Sequence, residues 1–343
     1  RINELFEESL DSPKDYVQVI REYLTPFFET LSDAIPEKLS QCIVSGNEIQ
    51  TIASMCNATN SLDFSIMERT AFTKMYKKAK EKGTEAISME YDIPQEEVEV
   101  LLPSLIVLNR LLKYTVNDSI LLSNVLLSDA VMFEMLFPKE ASFVVKAYEE
   151  FTLQSATSIA ERFGRDIGHI SRVSSVALEI YDKMKKLHGY KLRERTLLQV
   201  SAILQDIGKY VNVKNHALLS YNTITNLDIV GINDHERLII ATVCYYHNGN
   251  IPSMDSPIYN QLSQEDRVMV SKLAAILQIS NAINTSHSPK FEQVSVNMKN
   301  GKLNIYLTTL KNINLEKWAF IAKTKLFREV YGLNATIIKR GVL

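Results

Sequence analysis

The run from Leu197 to Ile207 is apolar on nearly every helical face, and the chain continues through it as Gln205-Asp206-Ile207-Gly208-Lys209. A helix of that kind has no face to turn toward water, so it must form the centre of a helical domain. The run ends in a carboxylate, a glycine and a lysine, which gives it the look of a metal-binding helix with one ligand missing. Other patterns supply the surrounding helices. Ile167, Ile170, Val173, Ala177, Ile180, Tyr181 and Met184 recur at helical spacing, with His169 near the start. His235 to His247 and Arg267 to Ile283 read as two further apolar helices. His169, His216, His235 and His247 all fall in this section. A lone histidine is most often a structural hydrogen-bonder, whereas several gathered on one carboxylate make a metal site, and only tertiary structure separates the two.

Upstream the pattern is mixed. Ser12-Pro13-Lys14-Asp15 predicts a helix start with Ser12 as N-cap, continuing through Val17, Ile20, Leu24, Phe27 and Leu31 with a kink at Pro26. Gln41 to Val44 is a short β-rich run, and Ser45-Gly46-Asn47 leads from it into a helix. A strand, a small-residue turn and a helix aim backbone N–H groups at a phosphate, and they also describe an ordinary βα connection. Thr73 to Gly83 carries five lysines on a helix, which fits a solvated face. A helix opening at Asp92 to Glu97 runs past Pro103, which should bend it. Asn124 to Asp129 reads as a buried strand leading into a helix over Ala130 to Phe137, with Asp129 as a capping carboxylate.

The tail changes character. Gln293 to Met298 and Leu303 to Leu307 alternate around Lys299-Asn300-Gly301-Lys302, which predicts a hairpin. A helix from Leu315 to Tyr331 carries the single tryptophan, Trp318, and stops at Gly332, and Asn334 to Ile338 supplies a third strand. A lobe this small must pack on the helical domain to bury its apolar face.

Composition sets outer bounds. With 38 basic and 40 acidic residues among 343, there is no charge excess for general nucleic-acid binding. Cys42, Cys56 and Cys244 are scattered and odd in number, as expected of reduced thiols in a cytoplasmic protein. No apolar run reaches the roughly 18 residues of a membrane span, and no secretory signal opens the chain. The first residue is Arg1 rather than Met, which raises the expectation of a longer protein.

Several blocks together resemble a known family. His169-Ile170-Ser171-Arg172-Val173, Ile203 to Tyr210, His216 to Ile224, and His235-Glu236-Arg237-Leu238-Ile239 through Tyr246-His247 look like the HD-type helical domain of the Ppx/GppA family of exopolyphosphatases and guanosine pentaphosphate phosphohydrolases. Val44 to Ile49 stands where that family has a phosphate-binding Gly-Gly-Thr turn. Leu127-Ser128-Asp129 with Phe133-Glu134 stands where it closes its second actin-like domain. The resemblance implies a mixed, mostly α fold. It divides into an α/β actin-like (ribonuclease H-like) half-domain over 1–145, an all-α HD-like domain over 146–288 and a small ββαβ lobe over 289–343.

The resemblance also implies release of terminal phosphate from polyphosphate or guanosine pentaphosphate, with Mg²⁺, between two actin-like domains. The catalytic carboxylate belongs to the first of these, so it is expected upstream of Arg1 and no catalytic residue is expected in this chain. Ser45, Gly46 and Asn47 are the expected phosphate contacts, although Asn47 and Glu48 replace the second Gly and the Thr, and a carboxylate there repels phosphate. The Arg expected before Glu134 is Phe133. The HD ligand positions fall on His169, Gln205, Asp206 and Asn281. Two amides at those positions are poor ligands, so no firmly held metal is expected, with His169 and Asp206 the remaining weak candidates. Lys209, Lys214 and Arg237 are candidate polyanion contacts, equally explained as helix-end charges. Pairing of two copies through the helical domain is implied by the same resemblance. Three functions compete: part of an exopolyphosphatase-like hydrolase, a degenerate non-catalytic homologue that binds a phosphorylated ligand or partner and regulates, and an independent HD phosphohydrolase working with Mn²⁺ through Asp206.

Overall fold

The computed structural model describes residues 13–34, 38–61, 64–299 and 301–341. Ser12 and Asn300 lie outside the described residues. The chain divides into two compact units, Arg1–Ala141 and Ser142–Leu343.

The first unit is α/β. It contains α1 (Pro13–Ala34), β1 (Ile43–Val44), α2 (Ile49–Met55), β2 (Thr59–Asn60), β3 (Phe64–Glu68), α3 (Arg69–Tyr91), α4 (Gln95–Leu111), β4 (Ser119–Ser123) and α5 (Leu127–Leu136). Its sheet has the order β1-β4-β3-β2, parallel between β1 and β4 and antiparallel elsewhere. Helices α1, α2, α3 and α4 cover it through Ile20, Ile52, Phe72, Leu101 and Leu105, all buried with Met67 and Ile120 of the strands. The lysine-rich helix does not stop at Gly83. It breaks there, at φ 79, and resumes to Tyr91, and Lys78 and Lys82 pair with Glu90 beyond the break.

Asn124 to Asp129, expected as a buried strand, is not strand. The strand ends at Ser123, and Leu127 is 82% exposed at the start of α5. Apolar composition alone suggested burial there, but no described residue of α5 is buried. Asp129 does cap the helix, accepting from the Leu126 amide at 2.8 Å.

The second unit is built on α6 (Pro138–Arg162) from Ser142 onward and on α7 (Ile167–Lys183), α8 (Lys185–His188), α9 (Leu192–Leu204), α10 (His216–Ile224), α11 (Asp234–Tyr246), α12 (Pro257–Asn260) and α13 (Gln264–Ile283). Every residue from Val200 to Gly208 is buried, so the all-round apolar helix is the central one. Helices α7, α11 and α13 pack around α9. Asp166 and Asn233 cap α7 and α11, accepting from the Gly168 and Glu236 amides, as small polar residues do at helix starts.

The tail forms β5 (Gln293–Lys299), β6 (Lys302–Thr308), α14 (Asn314–Tyr331) and β7 (Asn334–Arg340). β6 is central, antiparallel to β5 and parallel to β7. Leu303, Ile305 and Leu307 alternate inward on β6 and join the helices in one continuous core with Phe320 and Phe327 of α14. Gly301 takes a positive φ of 68 in the hairpin, and Gly332 one of 65 at the end of α14. Among the described residues, no helix is long and apolar enough to cross a membrane.

Candidate functional site

Helix α9 ends at Leu204, and Asp206 leaves helical geometry before a 3₁₀ turn over Ile207–Tyr210. Gly208 lets this turn press against α10. A β-carbon there would lie 2.3 Å from the His216 carbonyl oxygen and 2.5 Å from the Ser220 amide, so the backbones of the turn and of α10 meet directly. Ser220 ties them together. Its hydroxyl accepts from the Gly208 amide at 3.0 Å and donates to the Gln205 carbonyl at 2.8 Å. This contact brings His216, the first residue of α10, to Asp206. His247, the residue that ends α11, completes the group.

Asp206 Oδ1 lies 3.3 Å from His247 Nε2 and 3.6 Å from His216 Nε2, and the two nitrogens are 3.3 Å apart. The opposite ring nitrogens face backbone carbonyls: His216 Nδ1 is 2.8 Å from Val213 O, and His247 Nδ1 is 2.5 Å from Cys244 O. A carbonyl only accepts, so each Nδ1 carries the hydrogen and each neutral ring turns an Nε2 lone pair toward Asp206. Asp206 Oδ1 has no hydrogen-bond partner. Three acceptor atoms therefore face one another in a buried space. Among the described residues, this is the group of His, Cys, Asp or Glu side chains close enough together to hold an ion.

The other oxygen of Asp206 is occupied. Lys209 Nζ donates to Oδ2 at 2.7 Å. Burial opposes the charge of Asp206, but His247, when its ring carries a second proton, and Lys209 outweigh it and hold the carboxyl well below the usual carboxylate range. Burial also lowers His216.

His169 stands at the edge of this group. Its Nε2 is 3.9 Å from Asp206 Oδ2. Arg172 Nε donates to Asn284 Oδ1 at 3.3 Å, which orients that amide so that its Nδ2 donates to His169 Nδ1 at 2.7 Å. The neutral ring therefore carries its hydrogen on Nε2, and in this tautomer His169 offers no lone pair toward Asp206. Burial, with His287 stacked alongside, pushes its pKa down to about 4.

Both amide atoms of Gln205 are buried without a partner, so Gln205 and Asn281 share no hydrogen bond. Asn284, the residue just after α13, reaches His169, and half-buried Asn281 lies three positions earlier within the helix. A cavity of about 170 Å³ adjoins, lined by Arg165, His169, Gln205, Asp206, Lys209 and His287 among others. Of the three polyanion candidates, Lys209 lines this cavity, Lys214 is exposed before α10, and Arg237 pairs with Asp234 at 2.9 Å. His235 pairs with Asp266 at 3.0 Å.

In the first unit, Ser45, Gly46 and Asn47 form the turn between β1 and α2, with Gly46 at φ 151. Glu48 Oε2 lies 3.5 Å from where a β-carbon on Gly46 would stand. The neighbouring groove, about 460 Å³, is lined by Ser45, Glu48 and mainly apolar side chains, and no described Lys or Arg lines it.

The sequence singled out Asp206, and named His216 and His247 only among four histidines of the section without saying which of them gather on a carboxylate. His216 and His247 are 31 residues apart, and only the packing of α10 and α11 brings them together. The local signal is that each sits at a helix end, within reach of a carbonyl three residues earlier.

The described site lies within a span that also matches a family model. The model of Ppx/GppA phosphatase, domain III, aligns with residues 153–326, half of the chain, and that span contains Asp206, His216, His247 and the cavity beside them. The chain therefore belongs to the Ppx/GppA phosphatase family.

Proposed function

We propose that the chain works in an exopolyphosphatase-like phosphohydrolase that releases terminal phosphate from polyphosphate or guanosine pentaphosphate. The observation that carries this reading is the match of residues 153–326 to domain III of the family. The reaction is attack of water on a terminal phosphorus, with the bridging oxygen leaving on the shortened chain. Stabilising the charge that develops on the phosphoryl oxygens is the main task of such a site. In this reading the helical unit has an accessory role. Arg165 and Lys209, at the cavity beside Asp206, lend positive potential to a passing polyanion.

Mg²⁺ is part of this reading, and Asp206, His216 and His247 do not suit it. Mg²⁺ prefers an octahedron of oxygen ligands, whereas two of these three donors are imidazole nitrogens. No step of the reaction is assigned to them.

A second reading, a non-catalytic homologue that binds a phosphorylated ligand and regulates, draws on Glu48. Its carboxylate lies beside Gly46 in the turn of Ser45, Gly46 and Asn47, where an incoming phosphate would meet like charge. One experiment separates the two. The full-length protein is incubated with polyphosphate and, separately, with guanosine pentaphosphate in the presence of Mg²⁺, and inorganic phosphate is measured. Steady release supports hydrolysis. Binding of either ligand with no release above a protein-free blank removes the enzymatic reading in favour of the regulatory one.

A further inference from the structure

We infer that Asp206, His216 and His247 hold one divalent transition-metal ion of the zinc class, at a site separate from the Mg²⁺ of the proposed hydrolysis. The inference does not depend on that proposal. It rests on three features of the group.

The first is spacing. An ion bound at about 2.1 Å to imidazole and carboxylate in a tetrahedron sets its ligand atoms about 3.4 Å apart. The three edges here are 3.3, 3.3 and 3.6 Å. The group therefore has the dimensions of one face of such a tetrahedron without any side-chain movement.

The second is protonation. Both Nδ1 atoms donate to backbone carbonyls, as metal-bound histidines commonly do through the ring nitrogen away from the ion. That leaves two nitrogen lone pairs and a carboxylate oxygen in contact with no hydrogen among them. Three acceptors that close repel one another unless a cation lies between them, and Asp206 Oδ1, buried and unpartnered, lacks that cation in the hydrogen-bond network.

The third is the division of labour on Asp206. Lys209 holds Oδ2 and leaves Oδ1 free, so the lysine orients the ligand without competing for the ion. The tautomer set by Asn284 keeps His169 outside the ligand set. The inferred set thus shares only Asp206 with the four HD positions His169, Gln205, Asp206 and Asn281. Two imidazoles and one carboxylate select Zn²⁺, Co²⁺, Mn²⁺ or Fe²⁺ over Mg²⁺ and Ca²⁺. All three ligands are buried, so the ion also binds the 3₁₀ turn, α10 and α11 together.

The test uses the full chain produced without a histidine tag, stripped with a chelator and then dialysed against Zn²⁺ or Co²⁺. The expected result is about one ion per chain by mass spectrometry of the metal, a rise of several degrees in melting temperature with Zn²⁺, and the intense visible absorption of low-symmetry Co²⁺. His216→Ala and His247→Ala should each weaken binding at least about ten-fold and abolish the melting shift. His235→Ala, which removes an exposed histidine outside the group, should bind like the unmodified chain. If an alanine variant does not fold, as judged by circular dichroism, Asp206→Asn and the Co²⁺ spectrum of the unmodified chain decide the matter. Less than about a tenth of an ion per chain with every metal, and no melting shift, would overturn the inference and leave a shared proton as the cation between the rings.

Discussion

The amide of Gly208 and the hydroxyl of Ser220 meet at 3.0 Å, and the same hydroxyl passes its own hydrogen to the carbonyl of Gln205 at 2.8 Å. One small side chain thus serves both a free amide and a free carbonyl at the end of the central helix, where both are buried. Ser220→Ala removes a donor and an acceptor at once. It should lower stability by about 2 kcal/mol, measured by urea unfolding, and Ser220→Thr should recover part of the loss if the new methyl group fits.

Gly208 is a close-approach glycine. Its backbone neighbours on α10 belong to a helix and cannot swing aside as a side chain would. Gly208→Ala should cost about 3 kcal/mol or more, and by pushing α10 away it should separate His216 from Asp206. A melting temperature within a degree of the unmodified protein would show that the turn yields more easily than its packing indicates.

His188 gives the second unit an acid sensitivity of its own. Its Nε2 donates to the Tyr181 carbonyl at 2.8 Å and its Nδ1 accepts from the Tyr190 amide at 3.0 Å, so the neutral ring is fully used. Burial lowers its pKa. Because the folded value lies below the unfolded one, of about 6.5, the contribution is complete above that pH and is lost as pH falls. His188→Gln should lose less stability between neutral pH and pH 5 than the unmodified chain, and parallel pH profiles would exclude this assignment.

Glu236 does two jobs at the start of α11. It closes a capping box with Asn233, and both its oxygens accept from Arg193, Oε1 at 2.6 Å and Oε2 at 2.5 Å. Burial raises its pKa, but the bonds from Arg193 and the Asn233 amide outweigh that and lower it. With Arg193 partly exposed, Glu236→Ala should cost about 1 to 2 kcal/mol. Arg193→Ala should cost less, because the cap survives it.

Ile305, fully buried on the central strand β6, reports on the tail. Ile305→Ala should cost about 3 kcal/mol. Its effect should fall on the same unfolding transition that Leu204→Ala, in α9, displaces, as followed by circular dichroism and calorimetry.

Elements with a strong period were legible in the sequence. The all-round apolar α9, the striped α7 and the alternating β5 and β6 each have one way to bury their apolar atoms, so pattern and structure agree. The run from Asn124 to Asp129 misled because β-branched and leucine side chains mark burial only when something covers them. At the site, Asp206 stood out because it ends an apolar helix and falls on a ligand position of the HD pattern that the chain resembles. His216 and His247 stood level with His169 and His235, since nothing local says which helix ends will meet. Asn284, whose amide meets His169, was not singled out, because it follows the last residue of α13, where the helical period no longer says which way a side chain points.

The single apolar core shared by α9, α13, β6 and α14 has a consequence for inheritance. A segment with its own core can be lost, duplicated or exchanged between genes, and its neighbours still fold. The β5-β6-α14-β7 segment has no such independence, because Leu303, Ile305, Leu307, Phe320 and Phe327 find their partners among the helices. Lineages of this protein should therefore keep or lose the tail together with the helices, and chimeras should join relatives outside the span from α7 to β7.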